Sequence, residues 1–217
     1  MSAKIIVSYD GTASDDDALA FGRLLAKAGG SLALAYVRHS ERLAESEAEL
    51  LLEAGARWLD QPDVPRHVVL SGSTPEGLRD LAAREGADVI VFGSEYRTTP
   101  GHVDPGTSAR TLFDGGPVAI GIATAEMRYL ADAPIATVAA VNGDEDTSAT
   151  TTAEAIAKRF GSSIATKYTS EVGLVVLGSK LGTPPNTVRL SAAAQYLIDL
   201  VRCPVLVLPR GVAIPFS

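Results

Sequence analysis

Two short stretches of the chain carry carboxylate, amide and hydroxyl groups in patterns that can bind a ligand. Asp10 and Gly11 follow an apolar run that starts at Lys4, and Gly106-Thr107-Ser108 precedes a short sequence of helical character. Free backbone N–H groups at a helix start favour anions such as phosphate, and two hydroxyls add donors. The carboxylate of Asp10 could accept a hydrogen bond from a sugar hydroxyl. Either pattern alone is common in ordinary turns and helix caps, so the positions of these groups in the fold decide their meaning.

The chain repeats one sequence pattern in its two halves. Asp88–Ser94 has the composition of a buried strand that ends in Gly-Ser, and Gly173–Ser179 has the same form. The loops that follow, 97–105 and 182–190, are both nine residues long. A helix and a second apolar strand come after each loop. Such a repeat predicts two copies of one structural unit.

Apolar strands alternate with amphipathic helices in the first half. The predicted strands are Lys4–Asp10, Ser31–Val37, Val64–Leu70, Val89–Phe92 and Pro117–Ala123. This alternation requires crossover connections and predicts a parallel sheet covered by helices on both faces. The predicted helices start at Ser14, which would cap the first one, at Glu41, at Ser73 or Thr74, and at Thr107.

The second half shows the same elements in a shorter series. Its predicted strands are Ile135–Val141, Ser163–Tyr168, Val172–Leu177 and Cys203–Leu208, and its predicted helices are Thr147–Phe160 and one that starts near Ser191. Counterparts of the second helix, third strand and third helix of the first half are missing. We therefore expect a shortened copy, joined to the first by a connector over 125–133.

Three strand ends of the first half carry the groups that could bind a ligand. In an open parallel sheet, ligands lie at the carboxyl ends of the strands, near the point where the strand order reverses. Asp10, the loop after Val37 and the segment from Gly93 to Thr107 all follow predicted strands. A glycine such as Gly93 would let a ligand approach the backbone closely. The pattern predicts one site formed by these three segments.

The chain resembles the universal stress protein family. The resemblance is carried by the order of the elements and by Asp10, the Ser73-Thr-Pro-Glu76 helix start, the Ala87–Ser94 segment and the closing Cys203-Pro-Val-Leu-Val strand. It covers nearly the whole chain as a tandem of two domains. In this family the fifth strands of two domains pair edge to edge, which implies the same for the last strands of the two halves here.

The resemblance implies an α/β fold with two Rossmann-like domains of the adenine nucleotide alpha hydrolase-like type. The first domain, 1–124, would be complete and hold a parallel five-stranded sheet, and the second, 133–217, would be shortened and hold a reduced sheet. The function implied is a stress-response module that binds ATP or AMP in the first domain, with Mg²⁺ accompanying ATP. The nucleotide-binding residues implied are Asp10 for the ribose, the Val37 backbone for adenine, and Gly93, Gly106, Thr107 and Ser108 for the phosphates.

The chain departs from the nucleotide-binding pattern of that family at one position of the first half. The pattern is Gly, two residues, Gly, nine residues, Gly, then Ser or Thr. Gly93 and Gly106-Thr107 fit it, but Tyr96 replaces the middle glycine. A tyrosine is unfavourable there if the backbone needs a positive φ, although its ring could instead close the pocket or stack on a base.

The second half departs further, with Asn142, Leu181 and Ser191-Ala192 at the matching positions. We expect it to bind no nucleotide and to brace the first domain. These departures keep a second hypothesis open, in which the protein is an interaction module of the same fold that binds no nucleotide and acts through dimer surfaces.

Composition excludes several other classes of function. The formal net charge of −7 leaves no basic surface for nucleic acid, and no apolar run approaches the ~20 residues of a membrane helix. A single cysteine fits a reducing compartment, and we expect a cytoplasmic protein without a signal peptide. The three histidines lack metal-ligand spacing and no Gly-x-Ser-x-Gly motif occurs, so we expect neither catalytic nor metal-binding residues. A homodimer is a candidate assembly.

Overall fold

The computed structural model describes residues 2–41, 44–130, 133–143 and 145–216. The elements of the first half are β1 (Lys4–Ser8), α1 (Ala13–Lys27), β2 (Ser31–Arg38), α2 (Glu45–Trp58), β3 (Arg66–Leu70), α3 (Thr74–Glu85), β4 (Val89–Phe92), α4 (Thr107–Leu112) and β5 (Ala119–Ile122). The elements of the second half are β6 (Thr137–Val141), α5 (Ser148–Phe160), β7 (Ser163–Ala165), β8 (Leu174–Leu177), α6 (Ala192–Leu200) and β9 (Val205–Val207). Among these elements, no helix is both long and apolar enough to cross a bilayer.

The strands of the described residues form one nine-stranded sheet in the order β3-β2-β1-β4-β5-β9-β8-β6-β7. Within each half the neighbouring strands are parallel, which confirms the α/β fold predicted from the alternation of strands and helices. β5 and β9 pair antiparallel, with Ile120 opposite Val207 and Ile122 opposite Val205. The predicted edge-to-edge pairing is therefore confirmed, and it leaves neither apolar strand at an open edge.

Two buried layers cover the faces of the sheet. α1, α2 and α5 pack on one face and α3, α4 and α6 on the other, through apolar side chains such as Leu52 and Ile156 in the first layer and Leu78 and Ile198 in the second. Each layer contains residues of both halves, so the two halves share both layers of the core. In the described part of the second half no helix joins β7 to β8, which agrees with the predicted shortening.

A buried serine shows that the sequence repeat is also a structural repeat. Ser94 Oγ donates to the carbonyl of Ala123 at 2.7 Å and accepts from the amide of Asp104 at 3.1 Å. Ser179 makes the same two bonds, again at 2.7 and 3.1 Å, to residues 29 ahead and 10 ahead of it. In the first half these bonds connect the loop after β4 to the end of β5, and in the second half they connect the loop after β8 to the end of β9.

The connector between the halves is fixed on α1 by a buried carboxylate. Asp17 is 2% exposed and accepts the amides of Glu126 and Arg128 at 2.8 and 2.9 Å. The Arg128 guanidinium completes the contact, with Nη1 2.9 Å from both carboxylate oxygens. The predicted connector includes a short 3₁₀ helix, Met127–Tyr129, and its residues 131 and 132 lie outside the described residues.

The predicted helix starts need one correction. Ser14 was expected to cap α1, but the helix begins at Ala13 and its cap is Thr12. The reason is the side chain of Asp15, which accepts the Thr12 amide at 3.3 Å and so fixes the turn earlier in the chain. For α3 the alternatives are resolved in favour of Ser73, whose hydroxyl accepts the amide of Glu76 at 3.4 Å.

α2 begins at Glu45 rather than at Glu41. Residues 42 and 43 of the predicted helix lie outside the described residues.

Candidate functional site

The strand order of the first half reverses between β1 and β4. β2 and β3 lie on one side of this point and β5 on the other, so the connecting helices leave in opposite directions and open a crevice at the carboxyl ends of the strands. Asp10 is two residues beyond β1 and is exposed, and Gly93 directly follows β4. The fold thus brings these two predicted site residues to the same crevice.

The backbone N–H and C=O of Val37 lie at the same crevice and have no partner on β1. The carbonyl of Ala35 accepts the amide of Tyr9 at 2.9 Å, so the odd-numbered residues of β2 direct their backbone groups toward β1. Arg38 faces the other way, and its carbonyl accepts the amide of Ser71 at 3.0 Å. Because neighbouring residues of a strand alternate in this way, the N–H and C=O of Val37 point toward β1 but beyond its end. Among the described residues neither group has a backbone partner outside β2, and both lie beside the turn that contains Asp10.

Gly93 is enclosed by the first turn of α1. A Cβ atom at Gly93 would lie 2.0 Å from the carbonyl oxygen of Ser14 and 2.6 Å from its carbonyl carbon. No side chain fits in that space, so this glycine allows α1 to pack against the end of β4. The close contact explains the glycine without a ligand.

A carboxylate lies at the start of α4. Gly106 is the N-cap of this helix, and Glu95 Oε2 lies 2.9 Å from the position that a Cβ of Gly106 would take. The other oxygen, Oε1, accepts the amide of Tyr96 at 3.0 Å. Thr107 is exposed and Ser108 half-buried beside it. The first turn of α4, which was predicted to hold phosphates, therefore faces a negative side chain of the protein itself.

Tyr96 does not fill the crevice. Its side chain is 75% exposed, and the guanidinium of Arg97 lies 5.4 Å from the centre of its ring. The positive φ angles of this loop fall on Arg97, at 76°, and Gly101, at 77°, and not on Tyr96. Replacing the family's middle glycine by tyrosine is thus compatible with the backbone, and the strain lies one residue later.

Acidic side chains surround the turn after β1. Asp15 accepts the amides of Asp10 and Thr12 at 2.7 and 3.3 Å. Burial, together with hydrogen bonding and the charge of Asp10, raises the pKa of Asp15 to about 8. Burial also raises the pKa of Asp16, and burial followed by the charge of Asp16 raises the pKa of Tyr9 to about 12. The raised pKa favours the protonated form of Asp15, which makes the turn less negative than its sequence suggests.

No metal centre accompanies these groups in the part of the chain that the structure describes, since no three His, Cys, Asp or Glu side chains are placed to bind an ion.

Solved structures share this arrangement over nearly the whole chain. A universal stress protein from Archaeoglobus fulgidus DSM 4304 superimposes with a TM-score of 0.72 at 14% identity, over 97% of this chain and 100% of that one. The chain has the universal stress protein fold. A functionally unknown protein from Pseudomonas aeruginosa PAO1 gives a TM-score of 0.68 at 15% identity, over 97% of this chain and 93% of that one. No protein-family model and no curated protein matches the sequence.

The second half of this universal stress protein fold also has a crevice at the carboxyl ends of its strands, but different side chains line it. Asn142 follows β6, and its amide is used locally, since Oδ1 accepts the amide of Thr150 at 3.1 Å and Nδ2 donates to its hydroxyl at 2.8 Å. Lys180 stands where the first half has Glu95, and Ser191 caps α6 through the amide of Ala194 at 3.1 Å.

A cavity of about 440 Å³ lies at this second crevice, with Asn142, Gly178, Lys180 and Ser191 among its lining residues. The sequence predicted no nucleotide here, and that remains a prediction. Glu95 and Lys180 have opposite charges in the sequence. The matched hydrogen bonds of Ser94 and Ser179 show that Glu95 and Lys180 occupy equivalent positions in the two halves.

Proposed function

We propose that the first half binds an adenine nucleoside or nucleotide, ATP or AMP, as part of a stress-response module. One observation carries this proposal: the backbone of Val37 has no partner among the described residues at the point where β1 ends, next to the turn that contains Asp10. A peptide N–H and C=O on one strand edge complement the N1 acceptor and the 6-amino donor of adenine. In this proposal the exposed Asp10 carboxylate accepts hydrogen bonds from the ribose hydroxyls.

The nucleoside part supplies most of the affinity in this proposal. Glu95 lies against Gly106 at the start of α4, so a phosphate bound at Gly106, Thr107 and Ser108 would lie near a carboxylate. Like charges repel, and the repulsion grows with the number of phosphates. We expect adenosine and AMP to bind at least as tightly as ATP. Mg²⁺, bound to the phosphates themselves, would reduce the difference.

Calorimetric titration and thermal unfolding test the proposal. A ligand at about 100 times its dissociation constant stabilises the folded state by ~2.7 kcal/mol. Asp10→Asn is expected to weaken the binding of adenosine, AMP and ATP alike. Glu95→Gln is expected to strengthen the binding of ATP alone. Glu154→Gln, an exposed change on α5, is the matched control. If saturating adenosine, AMP and ATP all fail to shift the melting temperature, the first half does not bind an adenine nucleotide.

A second candidate is an interaction module that binds no nucleotide. It is favoured by two observations: the packing of α1 against Gly93 explains that glycine without a ligand, and the Glu95 carboxylate lies beside Gly106, where a phosphate would have to bind. This candidate predicts a stable assembly, such as a homodimer, in sedimentation velocity at micromolar concentration. A monomer that binds adenosine would contradict it.

We further propose that the protein is not an enzyme and works in the cytoplasm, where its single buried cysteine stays reduced. Release of ADP, AMP or adenylated product during incubation with ATP would contradict the first statement. Secretion of the native protein would contradict the second.

A further inference from the structure

A cavity of about 560 Å³ lies across the seam between the two halves. The first half contributes Arg110 and Phe113, at the α4 end, and the second half contributes Lys180, Arg189 and Ile198. The volume is in the range of small-molecule sites, ~300–1,000 Å³. Neither half forms this cavity alone, and it does not include the predicted nucleotide-binding residues.

The walls of the seam cavity are held by backbone contacts between the halves. Val188 donates to the carbonyl of Gly116 and accepts the amide of Gly115, both at 2.8 Å. Next to them, Arg189 Nε lies 3.1 Å from Asp114 Oδ1. These bonds fix the end of α4 against the loop before α6, so the cavity is already formed without a ligand.

The floor of the seam cavity is apolar. Phe113, Leu190 and Ile198 line it although they are only 8%, 7% and 2% exposed. An aromatic ring and two branched aliphatic side chains offer a surface for a flat apolar group.

The rim of the seam cavity carries an excess of positive charge. Its cations are Arg110, Lys180 and Arg189, and its anions are Asp114 and Asp199. This contrasts with the net charge of −7 for the chain.

The rim cations keep hydrogen-bond donors for a ligand. Arg110 uses Nη2 to bind Asp104 at 2.8 Å, and Arg189 uses Nε to bind Asp114, so each guanidinium retains further N–H groups. The Lys180 ammonium makes no ion pair or hydrogen bond with the residues that the structure describes. Convergent donors above an apolar floor are the features of a site for an amphipathic anion.

We propose that the seam cavity binds a small organic anion, a carboxylate or phosphate attached to a ring-sized apolar body. Lys180 and Arg189 hold the anionic group, and the apolar body lies on Phe113 and Ile198. The site exists only because two copies of the fold are joined through β5 and β9. It is independent of the adenine site proposed for the first half.

Phenyl phosphate and benzoate are the probes for a test by calorimetry, with neutral benzamide as the matched control. We expect both anions to bind and benzamide to bind at least about tenfold more weakly, since charge-assisted hydrogen bonds provide the difference. Arg189→Met is expected to weaken the binding of both anions by about tenfold. Gln195→Trp places a large side chain of α6 in the cavity and is expected to abolish binding. Lys167→Met, an exposed change outside the cavity, is the control variant.

Arg189 and Gln195 line this cavity and not the crevice of the second half, whereas Lys180 lines both. The Arg189→Met and Gln195→Trp variants therefore assign the site, and a cooperative thermal transition in each would establish that the variant folds. Anion binding that survives Gln195→Trp, benzamide binding equal to benzoate, or no binding of either anion at about 10 mM overturns the proposal. Adenosine affinity is expected to be the same in Gln195→Trp and the natural chain, so failure here leaves the proposed function unaffected.

Discussion

Replacing either of the two matched serines by alanine should destabilise the protein by the same amount. Ser94 and Ser179 are 4% and 0% exposed, and each hydroxyl donates one hydrogen bond at 2.7 Å and accepts one at 3.1 Å. Alanine removes both bonds and leaves a carbonyl at the end of β5 or β9 without this donor. If the hydrogen bonds of the two loops contribute equally to stability, Ser94→Ala and Ser179→Ala lower the unfolding free energy by the same amount.

The magnitude follows from the bonds lost. An intramolecular hydrogen bond contributes ~1 kcal/mol net, and a buried group left unpaired adds to the loss, so each variant should lose about 2–3 kcal/mol of unfolding free energy. For a chain of this size 1 kcal/mol corresponds to roughly 2–4 °C in melting temperature, which gives a decrease of about 4–12 °C. Both buried layers contain residues of the two halves, so one cooperative transition is expected.

Urea unfolding followed by circular dichroism measures these losses. Ser46→Ala, an exposed change on α2, is the control and should stay within ~0.5 kcal/mol of the natural chain. A loss under ~0.5 kcal/mol for either buried serine would mean that its hydrogen bonds contribute nothing net. Effects that differ by more than ~1 kcal/mol would refute the energetic equivalence of the two loops.

Three further perturbations test the packing and the charges of the first half. Gly93→Ala should cost about 3 kcal/mol or more, because its Cβ would lie 2.0 Å from a carbonyl oxygen, whereas the nearest atom at Gly72→Ala is 3.9 Å away and that change should be nearly neutral in urea unfolding. Equal stabilities would show that α1 moves aside freely. Since folding raises the pKa of Asp15 from 3.8 to about 8, the folded state holds a proton that the unfolded chain has lost, and unfolding free energy should fall as pH rises from about 4 to about 8. Asp15→Asn should reduce this fall in urea titrations at several pH values, and an unchanged slope would place the titration elsewhere. Asp17→Ala should cost about 3–5 kcal/mol because Arg128 is left without its buried partner, and a double variant with Arg128→Met that costs as much as the sum of the two single changes would exclude their coupling.

Local sequence patterns were sufficient for most of the fold. The near-continuous apolar run of Val89–Phe92 predicted a strand buried on both faces, and all four of its residues are buried in the structure. Equal loops in the two halves predicted a structural repeat, which Ser94 and Ser179 bear out bond for bond. These signals are reliable because periodicity and chain spacing act over a few residues and do not depend on distant contacts.

Side-chain competition limited what could be predicted at helix starts. Ser and Thr are both favoured at helix N-caps, so Ser14 and Thr12 are both candidates. Thr12 is the N-cap in the structure because Asp15 accepts a hydrogen bond from the Thr12 amide. The same kind of competition places Glu95, a residue without a motif, against Gly106. Only the folded loop brings these two residues, eleven positions apart in the sequence, together.

The sequence by itself determined a duplicated, parallel α/β chain whose Asp10, Val37 and Gly93 follow neighbouring strands, because hydrophobic periodicity dictates which segments become strands and where they end. Tertiary structure alone decided what surrounds those residues: α1 packs against Gly93, burial raises the pKa of Asp15 beside Asp10, and a cavity opens between the two halves. The reason is physical. Burial, pKa and cavity shape depend on atoms that are distant in sequence, and those atoms meet only when the sheet and its helices have packed.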